Sequence, residues 1–543
     1  MTSEPAKQDT TNRAAWDEMT IPRTLARAAT LWPEASAIEE DGDRLSFSEL
    51  AAASEAAARA FIAAGVEHGD RVGIWAPNST RWVIAALGLQ SAGAILVTLN
   101  TRFKASEASY VLEKSEARLL CTIGDFLDTN YADSIAEQGL PRLREIIMLD
   151  GESASGKSWD SFLASGESVT PELARHRAAA VSPDDLSDFL FTSGTTGNPK
   201  AVMTAHGQNL KVFDVWGKNV GLRQGDRYLI VAPFFHSFGY KAGWLACLIH
   251  GATALPHPVF DVATVLQRIQ DEKITVLPGP PAIYQSLLTF EGREQFDTSS
   301  LRLAVTGAAP TPVELVHRMR DELGFQSVIK AYGLTESCGT VTACKQGDDP
   351  ETIANSDGCA IPDTEVLCVD AEGEEVPRGE PGEVWVRGYN VMRGYFKDEA
   401  ETAKTIDAEG WLHTGDIGVM NADGYLKITD RIKDMFIMGG FNVYPAEVEN
   451  LLFEHEGVAA AAVIGVPDER MGEVGMAFVV PVPGADLDAT ELAAWSREHM
   501  ANFKIPRFVE IVSELPSNAS GKVLKFELRE LAAEILSHSS GAS

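Results

Sequence analysis

Sulfur is sparse in this chain: six cysteines in 543 residues, Cys121, Cys247, Cys338, Cys344, Cys359 and Cys368, stand apart with no Cys-x-x-Cys pair and no histidine cluster at zinc spacing. That argues against a disulfide framework or a structural metal and fits a reducing cytoplasm. Long apolar runs are missing too. The best membrane candidate, residues 82–99, is interrupted by Gln90, Ser91 and glycines, and reads as a buried helix followed by a strand. Residues 1–13 have no apolar core of signal-peptide type, and no repeat of solenoid period is visible. Positive charge is the third shortage: 46 Lys+Arg face 78 Asp+Glu, a formal charge of −32, with no basic stripe. Nucleic acid and anionic lipid surfaces are therefore poor partners, and an anionic small molecule must be held by local Lys, Arg, Mg²⁺ or backbone N–H groups.

What the chain does have is alternation. Ser46-x-x-Glu49 is a capping box ahead of an Ala-rich helix that stops at Gly65; RVGIWAP (71–77) follows as a strand, 79–93 as a helix and AILVTLN (94–100) as a strand. REIIMLD (144–150), RYLIVAP (227–233) and ITVLPGP (274–280) continue the pattern, which predicts an α/β class with a mostly parallel sheet flanked by helices. Residues 363–388 read instead as antiparallel strands separated by Gly/Pro/Glu turns, a small β subdomain over about 345–429. Beyond Asp430 the chain has enough short strands and helices for a separate α+β module. The division expected is a large domain over 1–429, a hinge at 430–435 and a small mobile domain over 436–543.

Two segments compete as phosphate loops. Gly151 to Ser158 fits the G-x4-G-K-S pattern and taken alone suggests a nucleotide switch with Lys157 on the phosphate. The helix that should follow is short, broken by Gly166 and weakly apolar, so a surface turn is the reading favoured. Phe191-Thr-Ser-Gly-Thr-Thr-Gly-Asn-Pro-Lys200 is different: four hydroxyls, two glycines and a lysine follow an apolar strand, enough donors to surround a triphosphate.

That loop resembles the signature of the adenylate-forming enzymes, the superfamily of acyl-CoA synthetases, luciferases and peptide-synthetase adenylation domains. Further motifs stand in the family's order: Pro233-Phe-Phe-His236, Thr306-Gly-Ala-Ala-Pro310, Tyr332-Gly-Leu-Thr335-Glu336, Trp411-Leu-His-Thr-Gly-Asp416, Asp430-Arg431-Ile-Lys433-Asp, Gly439-Gly-Phe-Asn-Val-Tyr-Pro-Ala-Glu447 and Pro516-Ser-Asn-Ala-Ser-Gly521-Lys522. They span the chain from about Leu45 to Lys525. The resemblance implies a role for each. Thr192, Ser193, Gly194, Thr195, Thr196, Gly197 and Lys200 would hold the ATP phosphates, and Thr335 with Glu336 would contact phosphate and Mg²⁺, with Thr196 and Glu336 as metal ligands. Tyr332 and Gly333 would lie on one face of adenine and Gly307, Ala308 and Ala309 on the other; Asp416 and Arg431 would grip the ribose, with Lys433 nearby. Lys522 would bridge the carboxylate and the α-phosphate as charge builds there. His236 would belong to the acyl and thiol passage, while Gly439, Gly440 and Phe441 would form a wall of the tunnel after the small domain swings.

The reaction implied has two steps. A small-molecule carboxylic acid attacks the α-phosphate of ATP to give acyl-adenylate and pyrophosphate; coenzyme A then expels AMP. An acyl-AMP ligase loading a separate carrier protein, a luciferase-like emitter and a catalytically dead scaffold are the alternatives, and a homodimer is left open. Around Pro233 to Gly243, 278–288, RLAVTGAAP and AYGLTES the chain resembles the CoA ligases that act on an indane-dione propanoic acid, the C/D-ring remnant of cholesterol; general medium- and long-chain fatty-acid ligases share most of these motifs. Lys241, in the apolar FGYKAGWLACLI, is expected either to snorkel toward water or to donate to a keto group of such an acid or to the CoA path.

Overall fold

The computed structural model describes residues 18–540 except 128, 193–198, 308, 310, 432–433, 439–440, 469, 486, 501, 503 and 518–522. Helix Phe47–Ala63 starts at the capping box read from the sequence: Ser46 Oγ accepts from the Glu49 N–H, and the Glu49 carboxylate accepts from the Ser46 N–H. Helix Thr80–Ser91 is buried on nearly every side and packs against it. Gly88 makes that approach possible, because a Cβ there would sit 2.6 Å from the Ala57 Cβ. With strand Ile95–Thr98 after it, the stretch 82–99 is core, and no helix of the described residues is long and apolar enough to cross a membrane.

Two large sheets build the N-terminal part. One has seven strands: Lys200–Ala205, Leu186–Thr192, Ile95–Thr98, Arg71–Trp75, Leu119–Ile123, Glu145–Asp150 and Lys157–Ser158, all parallel except Lys200–Ala205, which returns antiparallel to Leu186–Thr192. The other joins two four-stranded pieces. Asp43–Ser46, Ser36–Glu40, Thr253–Pro256 and Arg227–Ile230 form the first; Leu303–Gly307, Ser327–Tyr332, Thr342–Ala343 and Cys359–Ala360 form the second. They meet at Val276, which bridges both Tyr228 and Leu303. ITVLPGP is thus a short bridging stretch: Thr275 O and Val276 O accept from the Leu303 and Leu229 N–H groups, Leu277 and Gly279 N–H donate to Leu303 O and Val305 O, and Pro278 and Pro280 have no N–H to give.

A third sheet is antiparallel throughout, Thr364–Val369, Pro381–Gly388, Leu412–Met420 and Leu426–Arg431, over a core that includes Val366, Val384, Val386 and Leu412. Its first two strands fall in the stretch 363–388 that reads as antiparallel strands. From Phe436 onward a separate five-stranded sheet forms from Phe436–Met438, Phe441–Val443, Val458–Asp468, Gly472–Pro481 and Phe508–Ile511, with helices Pro445–Leu452, Ala489–His499 and Lys525–Ser540 and its own apolar clusters.

Candidate active site

In sheets with parallel strands, ligands collect at the carboxyl ends of the strands, where the loops emerge. Three such ends carry the predicted residues. Strand Leu186–Thr192 runs parallel to Ile95–Thr98 and ends at Thr192, and its return strand begins at the cross-strand partner Lys200. The feet of the hydroxyl-rich loop are therefore held side by side; Ser193, Gly194, Thr195, Thr196 and Gly197 lie outside the described residues. Strands Leu303–Gly307 and Ser327–Tyr332 run parallel with Gly307 opposite Ala331. A Cβ on Gly307 would lie 2.4 Å from the Ala331 carbonyl oxygen, so only glycine fits there. Ala309 is exposed beyond that strand end, and Ala308 lies outside the described residues.

Tyr332 leads into a tight turn that holds Thr335 and Glu336. A Cβ on Gly333 would sit 2.4 Å from the Gly339 carbonyl oxygen, and Ser337 Oγ accepts from the Leu334 N–H at 2.9 Å. The turn brings Glu336 to the foot of the loop: Thr192 Oγ1 donates to Glu336 Oε1 at 3.3 Å, and Tyr395 Oη donates to the same oxygen at 2.9 Å. Burial, reinforced by that carboxylate, pushes the Tyr395 phenol well above its ordinary pKa. Asp416, 2% exposed, accepts from Tyr332 Oη at 2.5 Å, and lies opposite Arg431 on the neighbouring strand. Tyr332 and Asp416 thus come from different sheets to one spot.

Lys200 lies 2.5 Å from Glu401 and 5.2 Å from the centre of the Tyr395 ring. Its ammonium holds the Glu401 carboxyl below the usual carboxylate range. Tyr395 and Glu401 were not legible in the sequence. They arrive because 393–396 adds as a further extended segment beside Lys200–Ala205, through Met203 N–H to Gly394 O (3.0 Å) and Phe396 N–H to Ala201 O (2.9 Å). Among the described residues no group of three or more His, Cys, Asp and Glu gathers at metal-ligand range. A magnesium ion held by one carboxylate, nucleotide phosphates and water fits that donor set, because Mg²⁺ keeps several waters and rarely occupies an all-protein cage.

The family model of the AMP-binding enzymes matches residues 25–396, and that of the AMP-binding enzyme C-terminal domain matches residues 447–522. The chain belongs to the AMP-binding enzymes. It is 50% identical over 517 residues to a 3-[(3aS,4S,7aS)-7a-methyl-1,5-dioxo-octahydro-1H-inden-4-yl]propanoyl:CoA ligase of Rhodococcus jostii, covering 94% of this chain and 98% of that one. A ligase of the same name from Mycobacterium tuberculosis is 50% identical over 515 residues, covering 95% and 99%. Among solved structures, the anthranilate CoA ligase AuaEII with anthranoyl-AMP superposes with a TM-score of 0.86 at 29% identity, covering 96% of this chain and 98% of that one. The chain is accordingly an ATP-dependent, AMP-forming acid–thiol ligase that makes an acyl-adenylate and then a CoA thioester, with ATP, Mg²⁺ and coenzyme A.

As an AMP-binding enzyme it has no use for the 151–158 loop, and the geometry there agrees. Lys157 pairs with Glu145 at 3.4 Å on the edge of the seven-stranded sheet, and the following helix, Trp159–Ser165, has seven residues. Ser153 and Ser155 both donate to Asp133, a carboxylate that would repel phosphate. Lys157→Ala is expected to leave kcat/KM for MgATP within about twofold, as for other exposed ion pairs; a large loss in steady-state kinetics would put the nucleotide on that loop.

His236 caps the short helix that begins at Ser237, its Nδ1 accepting from the Phe238 N–H at 3.2 Å. Lys241 is where the sequence reading needs correction. Its ammonium neither snorkels nor faces a substrate: it is fully buried, 3.0 Å from Asp188, also fully buried, and donates to Thr204 Oγ1 at 2.9 Å. The partner carboxylate, in a strand that reads as apolar, was missed. Lys433, Gly439, Gly440 and Lys522 lie outside the described residues, and of Arg431 and Phe441 only the backbone is described. Strands 436–438 and 441–443 pair Met438 with Phe441, which brings the two ends of the 439–440 segment together.

Proposed function

We propose that the acid activated by this ligase is a bicyclic, steroid-derived propanoic acid of the indane-dione type, and that the enzyme works in the cytoplasm. The observation that carries the reading is the 50% identity, sustained over more than nine-tenths of both chains, to two ligases named for that acid. At that level the segments that would shape an acyl pocket, around Pro233–Gly243 and 306–310, come from one closely similar scaffold. The test is AMP formation with ATP, Mg²⁺ and CoA, run in parallel on acetate, octanoate, palmitate, a phenylpropanoate and the indane-dione propanoate. A strong preference for the bicyclic acid is expected; broad turnover of octanoate or palmitate would return the enzyme to general fatty-acid activation.

In this reading the 192–200 loop holds the β- and γ-phosphates, Glu336 supplies the carboxylate oxygen for Mg²⁺, and Tyr332 carries the adenine. Asp416 accepts the ribose hydroxyls in place of the Tyr332 phenol, supported by Arg431. When bound, the metal neutralises phosphate charge as pyrophosphate leaves. The small domain turns about 430–435, a stretch that lies between the last strand of the antiparallel sheet, ending at Arg431, and the first strand of the C-terminal sheet, starting at Phe436. That movement withdraws Lys522 and brings the 439–441 loop to the thiol tunnel.

Removing the ribose acceptor gives a graded check. Hydrogen bonds to a charged group are worth about 1.5–3 kcal/mol each, so Asp416→Asn is expected to raise KM for ATP by about 10–100-fold with a smaller change in KM for the acid. Equal effects on both KM values in initial-rate kinetics would remove Asp416 from the nucleotide.

A further inference from the structure

The core of the large domain holds an ion pair that the reaction does not call for. Lys241 and Asp188, both fully buried, meet at 3.0 Å. Thr204 Oγ1 donates to Asp188 Oδ1 at 2.7 Å and accepts from Lys241 at 2.9 Å. On the other carboxylate oxygen, Ser187 Oγ and Asn209 Nδ2 each donate at 2.7 Å. Replacing such a pair by apolar groups of similar size is often neutral or stabilising, because desolvating two charges offsets their attraction. Stability alone therefore gives no account of it.

Its place in the fold does. Asp188 and Thr204 are cross-strand partners in the same hairpin whose ends are Thr192 and Lys200, four residues further along each strand with no register shift between. Side chains repeat every two residues, so Asp188 and Thr204 share one face with Thr192 and Lys200. Lys241 comes from the segment Tyr240–Leu245, directly after His236 and the short helix that it caps. That segment is a single π-helical turn with non-helical backbone at Gly243, and Tyr240 Oη, donating to Asp188 Oδ2 at 3.4 Å, joins it to the same carboxylate. We infer that the Asp188–Lys241 pair is a positioning device: it sets the register between the hairpin that carries the phosphate loop and the segment that carries His236, so that the acid and the α-phosphate meet at attack distance. The inference rests on the adenylation reading and adds to it two residues that touch neither substrate.

The test is a pair of double variants assayed by ATP–pyrophosphate exchange and thermal melting. Asp188→Leu with Lys241→Met is expected to melt at or above the temperature of the unaltered enzyme, while kcat falls by about tenfold or more, as displaced reacting groups do. Asp188→Asn with Lys241→Gln keeps hydrogen-bonding groups at both positions and is expected to stay within about threefold of the unaltered rate. Should the apolar pair fail to fold, Asp188→Asn with Lys241→Met carries the same test, since the amide oxygen still accepts from Ser187 and Asn209, the amide N–H can donate to Thr204 Oγ1, and the ionic link to 240–245 is cut; the tenfold loss is expected there too. Full activity in a folded apolar or link-cut variant overturns the inference, as does an equal loss in the hydrogen-bonding pair. The unaltered enzyme run on the acid panel separates the two readings: no AMP from any acid sinks the proposed function, whereas an active enzyme with equally active variants sinks only the positioning role.

Discussion

Replacing Lys522 with alanine is expected to lower kcat for acyl-adenylate formation by about 10²–10³-fold, the usual cost of removing one preorganised group aimed at transition-state charge. The reason is differential: the charge between carboxylate and α-phosphate grows during in-line attack, so a cation there stabilises the transition state more than the bound reactants. Because the small domain is proposed to withdraw Lys522 before the thiol enters, the second step should not feel the change. Pre-formed acyl-adenylate supplied to Lys522→Ala is expected to give acyl-CoA at close to the unaltered rate. Equal losses in both half-reactions, measured by pyrophosphate exchange and by single-turnover thioester formation, would assign Lys522 to general folding or docking instead.

Glu336→Gln should produce an effect of similar size with a different signature. The carboxylate is the anchor of a small polar network, accepting from Thr192 and Tyr395 beside the foot of the phosphate loop. An amide oxygen can still accept from both groups, so the local fold should persist and the melting temperature should change little. What the amide cannot do is bind a hard cation as a carboxylate does. A fall of about 10²-fold in kcat/KM for MgATP is therefore expected, with the Mg²⁺ saturation curve displaced to higher concentration. Superimposable Mg²⁺ curves for the two proteins would take Glu336 out of the metal site.

The sequence was informative wherever function demands a particular chemistry in a short stretch. The hydroxyl and glycine loop, the Tyr332–Glu336 turn, the Asp416 and Arg431 strands and the ordered later motifs were legible because each needs its own residue types at fixed spacing, and the structure brings Thr192, Glu336 and Tyr395 into one cluster and Tyr332 and Asp416 into another. Secondary structure was legible for the same local reason: the Ser46–Glu49 cap and the buried 80–91 helix follow from neighbours in the chain. The limits were also local. ITVLPGP pairs on both sides only as a short bridging stretch, since Pro278 and Pro280 have no N–H to give, and the Walker-like 151–158 run, read as a surface turn, lacks the buried helix that gives the pattern its meaning.

Other features depend on pairs far apart in the chain. A lysine in FGYKAGWLACLI says only that a charge needs a partner, and that partner, Asp188, lies 53 residues away on a strand otherwise built for burial. Tyr395 and Glu401 meet Glu336 and Lys200 only because 393–396 extends the sheet beside 200–205. The sequence by itself determined the family and the reaction class, since the motifs that carry the resemblance rest on residue type and local spacing, and it put forward the residues proposed to hold nucleotide. The tertiary structure decided which buried charges face each other, because ion pairing depends on distance in space, and the register of strands from distant parts of the chain sets that distance.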